Sequence, residues 1–106
     1  MSQIPVRKAL PDLSEIGPRL EDLRQLGRIS ARKLSTLIGA SPNTIRNIET
    51  QLCQAPRGDV LVALAKVLGT TVEYLVTGQE PAPTRQDVEQ ALAEAGYKPE
   101  VREEIL

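Results

Sequence analysis

Apolar residues between Ser30 and Glu49 recur at intervals of three and four, as they do on the buried face of a helix. They form two groups, the first at Ala31, Leu34, Leu37 and Ile38 and the second at Ile45 and Ile48. Gly39 lies between the groups, and glycine readily takes the left-handed backbone that follows a helix end. The pattern therefore predicts two short helices joined by a tight turn.

Capping residues indicate where these two helices begin. Ser30 and Ser41 each precede an apolar group and can accept a hydrogen bond from a first-turn N–H. Pro42 suits the first helical position, where no backbone donor is needed. The second helix is therefore predicted from Pro42 to Thr50, and its outward face is formed by Asn43, Thr44, Arg46 and Asn47. Such a unit, with a polar face on its second helix, is typical of a DNA-reading helix-turn-helix.

Another amphipathic helix is predicted before this unit. Its apolar face is formed by Ile16, Leu20, Leu23 and Leu26. The helix is predicted to begin near Glu15 or Gly17 and to be ended by Gly27. Residues 1–14 contain two prolines and show no sustained period, so we expect a flexible N-terminal arm there.

Two more helices are predicted after Glu49. Asp59 can cap a helix over residues 60–68 that is apolar on most sides, which indicates a central, buried helix. Thr71 can cap a short helix that ends before Gly78. Together the five helices predict one all-α domain over residues 15–78, which is large enough for a single aliphatic core.

The composition changes after Gly78. Residues 79–84 include two prolines and predict a stiff, exposed linker. Thr84 and Asp87 form a capping-box pattern that opens a sixth helix, and a seventh is predicted near the chain end. The apolar residues of the sixth helix are Val88, Ala91, Leu92 and Ala95. Because two such short helices cannot bury a core alone, residues 85–106 must dock on the domain or on a second copy, and we favour dimerisation or partner binding.

Charge is distributed unevenly over the 106 residues. The formal net charge is −1, but ten basic and seven acidic residues precede position 79, whereas three basic and seven acidic residues follow it. A mildly basic domain with an acidic C-terminal segment is compatible with DNA binding, where local charge matters more than the sum. The sequence shows no membrane-spanning run and no signal sequence, so we expect a cytoplasmic protein.

Residues for catalysis or metal binding are scarce. The sequence contains no histidine, a single cysteine (Cys53) and no glycine-rich phosphate-binding loop. A histidine general base and a cysteine-rich metal site are therefore excluded. We expect no enzymatic activity, no metal and no cofactor.

Three stretches in this order resemble the Cro/cI-type helix-turn-helix family, also called the xenobiotic-response-element family: IGPRLEDLRQLGRIS, LSTLIGASPNTIRNIE and LVALAKVLGTTVEYLVTG. The resemblance covers about residues 16–78. It implies a five-helix, lambda-repressor-like domain, followed here by the two short C-terminal helices. It further implies a transcriptional regulator, which we take to be a repressor that binds a palindromic operator as a homodimer.

The predicted helix from Pro42 to Thr50 matches the family's recognition helix, which lies in the major groove. The resemblance implies base contacts from Asn43, Thr44 and Asn47. A carboxamide carries a donor and an acceptor and can therefore bind adenine at two points. Phosphate contacts are expected from Arg32, Lys33, Arg46, Thr50, Gln51 and Arg57. The resemblance also implies that Arg24 and Glu49 form a structural pair between the first and third helices.

The sequence departs from the family pattern at three positions. Ala31 occupies the place of a glutamine that contacts the DNA backbone, and Pro42 occupies a place that often carries a base-reading side chain. Gln51 stands where glycine is common after the recognition helix. Two alternatives therefore stay open: an antitoxin-type autorepressor that binds a toxin through its C-terminal helices, and a protein-interaction module that has lost DNA binding.

Overall fold

The computed structural model describes residues 13–53, 55–79 and 81–97. These residues form a short 3₁₀ turn and six helices and contain no strand, which confirms the predicted all-α fold. The elements are the turn Leu13–Glu15, α1 (Ile16–Gly27), α2 (Ala31–Leu37), α3 (Thr44–Glu49), α4 (Gly58–Val67), α5 (Val72–Thr77) and α6 (Arg85–Glu94). The predicted seventh helix and most of the predicted arm lie outside the described residues. Leu13 packs against the core, so the short turn is part of the domain.

The core is aliphatic and is built around α1, which contacts α3, α5 and α6. Ile16, Leu20 and Leu23 of α1 are almost completely buried. The other apolar residues of the core are Ile29, Leu34, Ile45, Ile48, Leu64, Ala65, Leu68, Leu75, Val88 and Leu92. Because α3 and α6 both pack on α1, this helix joins the predicted DNA-reading helix to the C-terminal part of the fold.

The prediction that the fourth helix is central and buried is wrong. α4 buries Leu64 and Ala65, but Val62 is 59% exposed. The helix packs on α5 and α6 with one side, so its other side faces solvent despite its apolar composition. Asp59 also does not cap α4: the N-cap position is Arg57, and the Asp59 carboxylate instead accepts a hydrogen bond from Arg57 at 3.0 Å.

Gly27 has a different role from the predicted helix stop. It is the last residue of α1, and the left-handed residue that follows the helix is Arg28, with φ of 56°. Gly27 is buried, and a Cβ at this position would overlap Cδ1 of Leu92 in α6. The glycine is therefore required because α6 approaches the α1 backbone closely.

The sixth helix docks on the domain itself. The predicted capping box of Thr84 and Asp87 is confirmed, with both hydrogen bonds present. Val88 and Leu92 are 0% and 1% exposed, so the apolar side of α6 belongs to the domain core and is not a free surface for dimerisation. Pro83, which belongs to the linker that was predicted to be exposed, is buried.

Hydrogen bonds from α6 and the residues after it fix its position on α1. The Arg85 guanidinium donates to the carbonyl of Leu26 at 3.3 Å, and the Tyr97 hydroxyl donates to the carbonyl of Arg28 at 2.7 Å. Both acceptors are at the C-terminal end of α1, where carbonyl groups lack partners within the helix. The segment from Thr84 to Tyr97 therefore completes the core and caps α1.

Candidate nucleic-acid interface

The first helix of the predicted unit, α2, begins and ends close to where the sequence predicts. The hydroxyl of Ser30 accepts a hydrogen bond from the N–H of Lys33 at 3.0 Å, which confirms the predicted cap. α2 ends at Leu37, and Gly39 takes the left-handed backbone with φ of 80°. The chain thereby changes direction within a few residues, and α2 and α3 pack against each other.

The recognition helix begins later than predicted. α3 spans Thr44–Glu49, and Pro42 and Asn43 belong to a turn that the N–H of Thr44 closes by donating to the carbonyl of Ser41 at 3.0 Å. Among the described residues no backbone N–H donates to the Ser41 hydroxyl, which instead lies 3.1 Å from the hydroxyl of Thr44. Asn43 takes the N-cap position, but its side chain makes no capping bond.

A six-residue helix such as α3 is far too short to be stable alone and depends on contacts with the rest of the fold. Ile45 and Ile48 insert into the core and are 0% and 3% exposed. Gly17 of α1 allows a close approach at the other end of the helix, since a Cβ there would lie 2.8 Å from the carbonyl oxygen of Ile48. α3 is therefore packed directly on the α1 backbone.

Arg24 and Glu49 join α1 to the last residue of α3. Nε of Arg24 donates to Oε2 of Glu49 at 2.8 Å, and Nη2 donates to Oε1 at 3.1 Å. Nη1 donates to the carbonyl of Ile29 at 3.1 Å, and the two side chains are only 18% and 10% exposed. The hydrogen bond to Glu49 raises the pKa of Arg24 above its usual value, although burial opposes this shift. The pair holds the C-terminal end of α3 against α1.

Ser35 holds the other end of α3, a role that helical periodicity did not reveal. Its hydroxyl is fully buried, donates to the carbonyl of Ala31 at 2.9 Å and accepts from the N–H of Ile45 at 3.0 Å. In the sequence Ser35 is merely a polar residue beside the apolar Leu34. The one available signal was its place between apolar positions of α2, which puts a hydroxyl near the buried face.

The three predicted base-reading residues differ in how free their side chains are. Asn43 is exposed and Asn47 is half-buried, and neither carboxamide makes a hydrogen bond within the described part of the chain. Thr44 is half-buried, and its hydroxyl is already paired with that of Ser41. The two asparagines therefore offer free hydrogen-bonding groups, whereas Thr44 offers chiefly its methyl group.

The predicted phosphate-binding residues also differ in whether their side chains are free to bind an anion. Arg32, Lys33 and Arg46 are exposed and form no ion pair among the described residues. Arg57 pairs with Asp59 at 3.0 Å, but both side chains are mostly exposed, so this pair is weak and exchangeable. These four cations remain available to an anionic partner.

Thr50 and Gln51 are engaged within the chain. The Thr50 hydroxyl donates to the carbonyl of Arg46 at 2.8 Å, and the Gln51 carboxamide donates to the carbonyl of Ser14 at 3.3 Å. Gln51 also has φ of 68°, the left-handed conformation that a glycine would supply, at a cost of about 1 kcal/mol for a residue with a Cβ. The Thr50 hydroxyl must break its existing hydrogen bond before it can donate to a phosphate, whereas the Gln51 carboxamide keeps a second N–H that it can donate.

Electrostatics favour an anion at this surface. Between Ser30 and Cys53 the sequence contains one acidic residue, Glu49, and its charge is paired with Arg24. Arg32, Lys33 and Arg46 lie in the same stretch, so it carries uncompensated positive charge. The acidic residues of α6 lie on a helix that packs on α1 and α4, whereas α3 packs on α1 and α2.

Residues 13–53, 55–79 and 81–97 include no group of three or more side chains arranged to hold a metal ion. Within the same ranges, none of the helices has the length and apolar character required to cross a membrane.

Two short helices joined by a tight turn, with free carboxamides and unpaired cations on and beside the second, define a DNA-binding helix-turn-helix protein. The sequence model of the helix-turn-helix family matches residues 20–75. The chain belongs to this family, as a regulator of the Cro/cI type, which confirms the resemblance seen in the sequence. The comparisons found no match among curated proteins and none among solved structures. The matched region ends within α5, before α6.

Proposed function

We propose that the protein is a sequence-specific transcriptional repressor that binds a palindromic operator as a homodimer, with α3 in the major groove. The observation that carries this proposal is the pair of free carboxamides, Asn43 at the N-cap of α3 and Asn47 within it, on a helix that is anchored at both ends. A rigid anchor matters because base contacts depend on the placement of a side chain to within a fraction of an ångström.

Different side chains of the interface have different roles. Asn43 and Asn47 bind base edges, and the methyl group of Thr44 contacts a thymine methyl group. Arg32, Lys33, Arg46 and Arg57 bind phosphates, which orients the protein without reading the sequence. α2 has only seven residues, so we attribute its phosphate binding to the side chains of Arg32 and Lys33 rather than to the helix dipole. Thr50 contributes less, since its hydroxyl hydrogen is already used within the chain, whereas Gln51 keeps one amide N–H for a phosphate.

A homodimer follows from the small number of base contacts. A subunit with two or three base-reading residues discriminates weakly, and two subunits related by a twofold axis double the site that is read. Since Val88 and Leu92 are within the core of their own subunit, the dimer contact must use other residues. If residues 85–106 form the dimer contact, they do so through the outward side of α6 or through residues beyond Tyr97.

Footprinting tests this proposal on a duplex that the protein selects from a random-sequence library. We expect two protected half-sites, about 34 Å apart from centre to centre, because each subunit places one α3 in the major groove on the same side of the DNA. Repeating the titration at rising salt should give a log–log slope of roughly 3 to 4 per subunit, since four cations each displace a counterion.

The same experiment tests the twofold arrangement and the alternative of a protein-interaction module that has lost DNA binding. Protection of one undivided site would contradict the twofold arrangement. Failure to enrich any duplex, together with a salt slope near zero, would contradict DNA binding and favour a protein-interaction module. A scrambled duplex of equal length serves as the control for the sequence-independent part of the affinity.

A further inference from the structure

Of the helices that the structure describes, α4 alone has a large hydrophobic side chain that is mostly exposed. Val62, in the middle of α4, is 59% exposed, although Leu64 and Ala65 of the same helix are buried in the core. α5 and α6 pack on other sides of α4 and leave Val62 uncovered. A single exposed valine is common on protein surfaces, so the residues around it decide whether it belongs to a contact surface.

Two opposite charges flank Val62 on the same side of α4. Asp59 lies one turn before Val62 and Lys66 one turn after it, and both side chains are exposed. Residues three and four apart share one side of a helix, so these three residues form a continuous surface about 10 Å long, which we call the α4 face. Lys66 forms no ion pair among the described residues, and Asp59 pairs with Arg57 only at the surface, where such a pair is weak.

We propose that the α4 face pairs with the same face of a second copy of the chain. This inference rests on the proposed homodimer and names the surface through which its subunits meet. A twofold axis beside Val62 places the two α4 helices antiparallel, so that each Asp59 faces Lys66 of the second copy and the two Val62 side chains meet at the axis. Parallel α4 helices would place like charges opposite each other. The order of the charges therefore favours the antiparallel pair.

The exposed sides of α1 and α6 are less suitable for self-association. α6 exposes Gln86, Gln90 and Glu94, and α1 exposes Glu21 and Asp22. Two copies of either surface would meet without a large hydrophobic centre and with acidic residues facing acidic residues, which is unfavourable. α2 and α3 are assigned to DNA. The α4 face combines a hydrophobic centre with charges that complement themselves across a twofold axis.

The size of the α4 face limits the strength of the dimer. α4 has ten residues and is about 15 Å long, so one side of it buries less than the roughly 1,600 Å² of a standard interface. We therefore expect a dimer Kd that is micromolar or weaker in the absence of DNA. On an operator with two half-sites, the DNA holds both subunits at a high effective concentration, so the same contact makes binding cooperative.

Charge reversal tests the pairing without DNA. Both charges of the α4 face are positive in D59K and negative in K66E, and the twofold axis repeats each repulsion. Sedimentation equilibrium at low ionic strength should therefore give a dimer Kd at least about tenfold above that of the wild type for either variant. The double variant D59K/K66E restores opposite charges across the axis and should return the Kd to within about threefold of the wild type.

The double variant also distinguishes pairing from a role within one chain. An acidic residue in the first turn and a basic residue in the last turn both favour the dipole of their own helix, and D59K/K66E reverses both. If the charges served only their own helix, the double variant would dimerise no better than the single variants. A mixture of D59K and K66E should form heterodimers more tightly than either variant forms homodimers. E94K is the matched control, because it changes the charge as much as D59K does, on an exposed residue of α6.

Cross-linking at the axis detects the contact even where the dimer is weak. In a C53S background, which removes the natural thiol, V62C places two thiols across the twofold axis within reach of a disulfide. Copper-catalysed air oxidation should link C53S/V62C into dimers much faster than C53S/A93C, whose thiol lies on the outward side of α6. Circular dichroism checks that both variants keep their helical fold.

Three results would overturn the proposal. The first is a dimer Kd that D59K and K66E leave unchanged, and the second is a double variant that dimerises no better than the single ones. The third is a wild-type chain that stays monomeric at every concentration while C53S/V62C does not cross-link. Faster linking of C53S/A93C would place the contact on α6 instead. A wild-type protein that selects no duplex contradicts the proposed DNA reading, whereas sedimentation still decides whether the α4 face pairs.

Discussion

A chain that ends after Gln79 is expected to be less stable than the full chain by about 3–6 kcal/mol, because full burial of Val88 and Leu92 contributes about 1.5–3 kcal/mol for each side chain. Small domains have total stabilities of about 5–15 kcal/mol, so the truncation is expected to remove a large part of the stability of the fold. Urea denaturation followed by circular dichroism measures this difference.

A second truncation separates the contribution of α6 from that of the residues after it. A chain that ends after Tyr97 keeps α6 and the Tyr97 hydroxyl bond to Arg28, so we expect it to unfold close to the full chain. If the chain that ends after Gln79 had the same urea midpoint as this control, α6 would not be an integral part of the core. The result would also show whether the family domain, as matched over residues 20–75, is sufficient alone.

Replacement of Glu49 by alanine is expected to lower the free energy of unfolding by about 3 kcal/mol, because it leaves the largely buried Arg24 guanidinium without its carboxylate. The loss is at the lower end of the range for buried pairs, since Arg24 is 18% exposed and keeps its bond to Ile29. DNA affinity should fall as well, because the C-terminal end of α3 is released from α1.

A double-mutant cycle isolates the contact between Arg24 and Glu49. The double variant R24A/E49A should be destabilised by clearly less than the sum of the two single variants, with a coupling of about 1.5–3 kcal/mol. D22A is the matched control, because Asp22 is an exposed acidic residue of α1 and its loss should change stability by less than about 0.5 kcal/mol. Additive losses in the cycle would contradict the bridging role of the pair.

Local signals in the sequence were sufficient for much of this fold. Ser30, Thr71 and Thr84 were predicted as caps and each accepts the expected first-turn hydrogen bond. These predictions depend only on residues within one turn of the cap, so tertiary structure has little opportunity to change them. The turn at Gly39 was predictable for the same reason.

Features that depend on packing partners were not predictable from periodicity. The pattern of Val88 and Leu92 shows that one face of α6 is buried, but it does not show whether the domain or a second subunit covers it. From the sequence Gly27 is interpreted as a helix stop, whereas in the structure the absence of a side chain there leaves room for Leu92. The wrong prediction of a buried α4 has the same cause, since an apolar helix is buried only where neighbouring helices contact it.

The start of the recognition helix was misjudged because two local signals agreed on the wrong position. Ser41 and Pro42 together form a good helix start, but the chain turns once more before Thr44. The cap that replaces Ser41 comes from Ser35, ten residues away from the N–H of Ile45 that it satisfies. No pattern confined to residues 41–44 contains that information.

The central claim is that α3 reads bases, and the comparison of N47A with R46A tests it most directly. On the duplex selected by the wild-type protein both variants should bind more weakly, N47A by about tenfold. On a scrambled duplex N47A should bind like the wild type, whereas R46A should be weakened by a similar factor on both duplexes, since its phosphate contact carries no sequence information. Binding by N47A and R46A with unchanged affinity for the selected duplex would contradict the assignment of α3 as the DNA-reading helix.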